Sequence, residues 1–452
     1  MSKLKLIENV GTVFTADPEG RELDDGYVLV KDNEIEEVGV SPYQGPEPDR
    51  VIDGEGKIMI PGLVNTHHHL FQTLFRNFKE VNNAKLFTWL TELYDRWAKV
   101  DRRAIYVSTV VGVAELLLSG ATTTSDHLYL FPEGKNDIFD AEVEAARQVG
   151  IRFHPTRGSM SLSKEDGGLP PKETVQTEEE IIREYRRVIG EFHNRDKFAM
   201  TKVALAPCSP FSVTDEIMRK TAEMAEEEEL ALHTHLAETE DETEFCMDEV
   251  GMRPVDYMEE LGWLKDRVWF AHVVHVNESE IESLSSARVG MSHCPSSNMR
   301  LGSGIAPVVK MKDTDIDVSM AVDGSASNDT SNMIKELRQA LLLQRVKYGA
   351  DSITPREVLR FGTIGGARAL GREDELGSIE PGKAADLVMV DLNRLEYAGG
   401  LSDPVSALLM CDTKGVDFNM VNGEVLVEDG KLCNRELLEY VEEQNEIAAR
   451  FY

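Results

Sequence analysis

From about residue 61 to 370 the chain alternates short apolar runs with longer amphipathic ones, and this alternation restricts the fold more than any other feature. The short runs begin near Ile58, Ala121, Ile151, Thr201, Leu230, Arg267, Val289 and Asp317. Helix-like stretches such as Asp101 to Leu118 and Thr214 to Glu228 lie between them. Eight strands with intervening helices are the number that closes a (β/α)8 TIM-like barrel. A doubly wound sheet alternates in the same way, so the count alone leaves both open. The two ends of the chain read differently. Tyr27–Val30 and Ile35–Val38 flank a hairpin-like Lys31-Asp32-Asn33, and Asn422-Gly423 separates two further strand-like runs near the C-terminus. The expected architecture is an α/β barrel over 61–370. A small β-sandwich is expected from both termini, residues 1–60 and 371–452, with a terminal helix in the second part.

The ionisable residues favour the barrel, because they fall at the C-terminal ends of the predicted strands, where barrel enzymes gather their catalytic groups. After the first comes Asn65-Thr66-His67-His68-His69. In extended chain His67 and His69 point the same way and His68 points away. Two imidazoles on one side can share a metal ion, whereas His68 reads as structural. The fifth ends in His233-Thr234-His235-Leu236-Ala237-Glu238. His235 offers a third nitrogen, and Glu238 stands where a carboxylate could handle protons beside an activated water. His233 lies deeper and reads as core. The sixth and eighth runs supply His272 and Asp323. An unpaired carboxylate closing an apolar strand is costly to bury, so Asp323 calls for a metal, a histidine or both.

Together these segments resemble the amidohydrolase superfamily, in the branch that includes cytosine and guanine deaminases and triazine hydrolases. The resemblance is carried by PGLVNTHHHLFQTLFR (61–76), TTTSDHLYLF (122–131), RGSMS (157–161), GGLPP (167–171), APCSPFSV (206–213), HTHLAET (233–239), HCPSSNMRLGSGIAPV (293–308), VDGSASND (322–329) and GSIEPGKAADLVMVDL (377–392). It spans essentially the whole chain and points within that branch to deaminases of 8-oxoguanine type. It implies one divalent metal ion, usually zinc with Fe2+ as the alternative, held by His67, His69, His235 and Asp323. It also implies catalytic roles for Glu238, His272 and Asp323, with His275 left as a loop residue. The fourth rim reads Ala206-Pro207-Cys208, and Lys202 comes too early to bridge a second ion, so one metal is expected. A homo-oligomer, dimer or larger, is a further implication.

Several residues are candidates for a small heterocyclic substrate. Gln72 could read a carbonyl or ring N–H with its amide. Trp89 could stack on a flat ring or pack a helix. Arg157 could bind a carbonyl oxygen or form a structural ion pair. Cys208 stands where several relatives carry histidine and reads as cavity lining, having no obvious base beside it. His127 and His293 either touch substrate or orient a ligand. The stretch from Gly158 to Pro171 reads as a lid or a surface loop. The rival functions are an s-triazine aminohydrolase or dechlorinase, another guanine- or isocytosine-type deaminase, and a non-catalytic ligand-binding barrel. Retention of Glu238 argues against the last, since binding alone needs no proton shuttle.

Composition bounds the partners. A net charge of −33 over 452 residues repels nucleic acid and anionic membranes. Runs such as Glu226-Glu227-Glu228-Glu229 read as a halophile-like, salt-adapted surface, with a basic partner as the other reading. The five cysteines (Cys208, Cys246, Cys294, Cys411 and Cys433) are odd in number and lack C-x-x-C, which disfavours a disulfide framework. No signal-like or membrane-spanning run is evident, so a soluble, cytoplasmic protein is expected. If the acidic surface is salt-adapted, the thermal midpoint should rise steadily from low to molar salt; a flat or falling series contradicts it.

Overall fold

The apolar run Ile58–Val64 reads as one strand, but Gly62 divides it between two sheets. Lys57–Pro61 pairs with Leu387–Asp391 in a sheet built from the termini, and Leu63–Asn65 opens the barrel. Gly62 makes the crossing. Its N–H donates to Asp386 O at 2.9 Å, while the next N–H, of Leu63, donates to Gly120 O at 2.9 Å. A side chain at 62 would run into Thr122. The barrel strand expected to start near Ile58 therefore begins at Leu63, because hydropathy cannot register a change of partner within a continuous apolar run.

The structure, a computed structural model, describes residues 3–452. Its barrel strands, in order, are Leu63–Asn65, Ala121–Leu128, Arg152–Ser159, Ala204–Pro207, Leu232–Leu236, Val268–His272, Gly290–His293 and Asp317–Met320. All neighbours pair in parallel, first to eighth in chain order. The eighth returns to the first through Thr66 N–H to Met320 O and Asp323 N–H to His67 O, each 3.2 Å. Strands covered on both faces need no alternation of polarity, and Ala121–Leu128 is buried throughout although it reads ATTTSDHL. Its hydroxyls and those of other strands satisfy one another inside. Thr66 Oγ1 lies 2.7 Å from Ser292 Oγ and 2.8 Å from Ser319 Oγ.

The outer helices follow their caps. Asp101 accepts from Ala104 N to start Arg102–Leu118, and Thr177 with Glu180 forms a capping box before Glu178–Phe192. Leu86–Trp97 turns Leu86, Trp89, Leu90, Leu93, Tyr94 and Trp97 into the protein. The helix Tyr440–Ala448 packs on the barrel side, with Gln444 Nε2 donating to Thr73 Oγ1 at 2.9 Å. No helix among the described residues is long and apolar enough to cross a membrane.

Both termini contribute to the second, nine-stranded sheet. Leu4–Phe14, Glu22–Lys31, Glu34–Val40 and Arg50–Asp53 come from the N-terminal part; Leu387–Asp391, Phe418–Val421, Glu424–Glu428 and Lys431–Leu432 come from the other. The Asn422-Gly423 hairpin has φ of 50° and 81°, the left-handed pair that such turns require. Ile7, Val13, Val28, Met59, Leu387 and Met420 share a core separate from the barrel's.

A buried ion pair joins the two units. Arg152, on the third barrel strand, donates from Nε and Nη2 to Asp386 at 3.2 Å each, and from Nη2 to Asn422 Oδ1 at 3.1 Å. Both charged groups are almost fully buried. Removing one partner strands the other charge, which costs about 3–5 kcal/mol. Asp386→Ala should lower the unfolding free energy from denaturant titration by about 3–5 kcal/mol, whereas an unchanged value contradicts the linking role.

Candidate metal centre and catalytic cavity

Four carbonyl and ring contacts decide which nitrogens face the middle of the barrel mouth. A carbonyl can only accept, so the ring nitrogen against it carries the hydrogen. His69 Nδ1 donates to His127 O at 2.7 Å, and His235 Nδ1 donates to Cys208 O at 2.6 Å. His233 Nδ1 donates to Trp269 O at 2.8 Å, which leaves its Nε2 to accept from His67 Nδ1 at 2.7 Å. The Nε2 atoms of His67, His69 and His235 are thus left as bare lone pairs. Burial holds all three imidazoles neutral, with His235 pushed down to about 4.

Those lone pairs converge. His69 Nε2 and His235 Nε2 are 3.1 Å apart, and Asp323 Oδ1 lies 3.4 Å from Nε2 of both His67 and His69. His67 Nε2 is buried without a hydrogen-bond partner. Such a cluster repels itself unless a cation stands among the donors. Donors around a tetrahedral ion at about 2.0–2.1 Å sit about 3.3 Å apart, so the observed spacings fit a single zinc-sized ion. Its chemistry fits too, with three neutral imidazoles and one carboxylate. Burial would raise the Asp323 carboxyl, but the imidazoles of His67, His272 and His69 around it keep it well below the ordinary carboxylate range.

The strand ends are bent to achieve this. Ala237, His272, Val273 and Asp323 all have left-handed φ, between 47° and 75°. For residues other than glycine such backbone costs about 1–3 kcal/mol each and clusters at functional sites. Glu242 braces the fifth rim by accepting from Ala237 N at 2.7 Å and Glu238 N at 2.8 Å.

Beside the convergent donors lies a cavity lined by His69, Gln72, Cys208, His235, Glu238, His272 and Asp323 together with the apolar Leu86, Trp89, Leu90, Phe211 and Leu301. His272 Nε2 stands 3.5 Å from Glu238 Oε2 and 3.9 Å from Asp323 Oδ2. Burial, aided by the charges of Asp323 and Glu242, raises Glu238 well above the ordinary carboxylate range, which favours its protonated form. Burial takes His272 down to about 4.

The expected substrate residues divide. Gln72, Trp89 and Cys208 line the cavity. Gln72 Oε1 is buried and unpaired, and Trp89 Nε1 donates to Ala326 O at 3.2 Å. The Cys208 thiol is pushed up to about 12 by burial, which keeps it unreactive. Arg157 lies elsewhere. Its side chain leaves the cavity to bond Gln176 Oε1 at 2.8 Å and to cover Phe131. Lys202 also lies away, bonded to Glu375 at 2.9 Å.

The remaining histidines are placed by their partners. His68 turns outward to Ser331 Oγ at 3.0 Å. His127 stacks on His235 with ring centres 4.8 Å apart, and its carbonyl holds His69. His293 is buried, outside the cavity lining, with both ring nitrogens unpaired. His275 sits in the loop after the sixth strand. The segment from Gly158 to Pro171 contributes no lining residue: Ser161 and Leu162 N–H are fastened to Ser212 O, and the cover comes from Leu86–Trp97.

Sequence reasoning missed Tyr94, Tyr129, Phe211, Leu301 and Ser327 in the lining. For Tyr129 a signal existed, since it follows His127 by one alternation of the chain and its ring meets His69 at 5.0 Å. For Phe211 and Leu301, in loop and helix, no periodicity applies.

The chain is similar to known proteins over nearly its whole length. The amidohydrolase family model matches residues 58–427. Similar proteins include the 8-oxoguanine deaminase of Pseudomonas aeruginosa, 47% identical with 94% of each chain covered. Another is the hydroxydechloroatrazine ethylaminohydrolase of a Pseudomonas species, 35% identical over 93% of this chain and 90% of that one. Among solved structures, an atrazine chlorohydrolase from Arthrobacter aurescens complexed with zinc superposes with a TM-score of 0.94 at 33% identity, covering 98% of this chain and 100% of that one. The chain belongs to the amidohydrolase family. Its fold and site are those of a metal-dependent hydrolytic deaminase that uses a divalent ion such as zinc.

His233 offers a test of the tautomer argument, because it fixes the hydrogen of His67 from behind. Partners of this kind are worth about 10–100-fold in metal affinity. His233→Phe keeps a flat ring against Trp269, whose stacking distance is 4.4 Å. It should weaken zinc binding by about that factor, measured by competition with a chelator; wild-type affinity contradicts the tautomer argument.

Proposed function

We propose that this chain hydrolyses 8-oxoguanine to urate and ammonia. The observation that carries the reading is the buried Glu238 carboxyl, facing His272 at 3.5 Å beside the convergent donor set. The 47% identity to an 8-oxoguanine deaminase over nearly the full chain supports the ring assignment. The catalytic unit is residues 61–370, with 1–60 and 371–452 as its support.

His67, His69, His235 and Asp323 would hold the ion. When bound, such an ion lowers the pKa of a water molecule from 15.7 to about 7. Asp323 takes the proton released from that water at Oδ2, the carboxylate oxygen that also accepts from Ser327 Oγ at 3.3 Å. His272 hydrogen-bonds to the oxygen that attacks the amino-bearing ring carbon. Glu238 protonates the adjacent ring nitrogen, and its carboxylate then takes the hydrogen left on the attacking oxygen. It hands that hydrogen to the amino group as the C–N bond breaks and ammonia leaves, and the proton held by Asp323 restores the Glu238 acid. Gln72, with its unpaired Oε1, accepts from a ring N–H. Trp89, Leu90 and Leu301 give the flat ring an apolar bed.

The likeness to triazine-acting proteins favours a second reading, an aminotriazine substrate in the same cavity. Ammonia release from zinc-loaded protein in high salt, against 8-oxoguanine, guanine, isocytosine, cytosine and aminotriazines, separates them. Preference for 8-oxoguanine, with urate in the ultraviolet spectrum, supports the first; preference for triazines replaces it. Glu238→Gln should keep its metal and lose turnover by about 10²- to 10⁴-fold. Wild-type activity would remove Glu238 from the reaction.

A further inference from the structure

Asn298 and Ser303 lie outside the cavity lining, yet each reaches one of the two proton-handling groups. They bracket the end of the helix Pro295–Leu301, which Gly302 closes in the left-handed region at φ 70°. Ser303 N–H donates to Asn298 O at 2.8 Å, so the pair is locked into one turn. Asn298 is fully buried and Ser303 nearly so. From this turn, Asn298 Nδ2 donates to His272 Nδ1 at 3.1 Å and Ser303 Oγ donates to Glu238 Oε1 at 3.4 Å. The turn is anchored in return, since His275 Nε2 donates to Ser303 O at 2.6 Å.

The chemistry of the Asn298 contact is directional. An amide nitrogen only donates, so His272 Nδ1 must accept, and a neutral imidazole then carries its hydrogen on Nε2. That is the opposite arrangement to the three metal-facing histidines, whose Nδ1 atoms donate to carbonyls or to His233. One set of rings presents lone pairs, and His272 alone presents an N–H to the same space. We propose that the turn from Asn298 to Ser303 is the positioning element of the reaction. Asn298 fixes which nitrogen of His272 donates, and Ser303 fixes the rotation of the Glu238 carboxyl. The roles of His272 and Glu238 are taken from the deaminase reading above; the placement of the hydrogen on His272 is independent of it.

The decisive substitution is Asn298→Asp, which keeps the shape and replaces the donor by an acceptor. His272 would then donate from Nδ1 and turn a lone pair towards Glu238. On whichever heterocycle the wild type turns over best, N298D should lose about 10²-fold or more in kcat. Metal content should stay at the wild-type level and KM should change by less than about threefold, the split expected of a group acting only at the transition state. Ser303→Ala should lose about tenfold in kcat, and Ser303→Thr should restore it. Nitrogen-15 spectra of histidine-labelled zinc protein, with His272 assigned by its loss in His272→Asn, give a readout free of turnover. Nδ1 of His272 should resonate as the unprotonated nitrogen in the wild type and as the protonated one in N298D.

Should N298D not fold, Asn298→Ala carries the kinetic arm and the wild-type spectrum carries the other. The proposal is overturned if N298D or N298A keeps wild-type kcat, or if the wild-type spectrum places the hydrogen on Nδ1. A wild type that is silent on every heterocycle defeats the deaminase reading, while the spectrum still decides the orientation of His272.

Discussion

Three backbone carbonyl oxygens, those of His127, Cys208 and Trp269, hold the rest of the site in place. Each accepts from an imidazole Nδ1, and the Trp269 contact acts on His67 through His233. A histidine free to choose its tautomer could present a hydrogen to the centre, and in that state it binds no ion. Fixing three of them points three bare Nε2 lone pairs at one centre. The barrel is what makes this possible, because neighbouring parallel strands bring the carbonyl of one rim beside the ring of the next.

The cost of that order appears in the backbone. Ala237, His272, Val273 and Asp323 occupy left-handed conformations that glycine would adopt more readily. Their neighbours compensate. Glu242 ties down the fifth rim, and Glu336 reaches Asn328 Nδ2 at 2.8 Å, which in turn holds Val322 O at 2.6 Å beside Asp323. Burial raises both carboxyls to about 7, as expected where hydrogen bonding to backbone only partly replaces water.

Much of this was legible in the sequence. Alternation placed His67 and His69 together and turned His68 away, and the structure has that arrangement. The strand-end positions of His235, Glu238, His272 and Asp323 followed from the same reasoning. What stayed hidden depends on three-dimensional neighbours. Ile58–Val64 conceals a change of sheet at Gly62, because both halves are equally apolar. Arg157 ends a strand as a cavity residue would, yet its side chain finds Gln176 and Phe131 instead. Asn298 and Ser303 lie in a helix and its cap, where no periodicity points to His272 or Glu238.

The central claim is that three bare Nε2 atoms and one carboxylate hold a single ion. Diffraction from crystals of the zinc-loaded protein, at wavelengths on either side of the zinc edge, tests it most directly. The account predicts one anomalous peak, about 2.0–2.2 Å from Nε2 of His67, His69 and His235 and from an Asp323 oxygen. A pair of peaks, a peak ligated through Nδ1, or none at this position would contradict it.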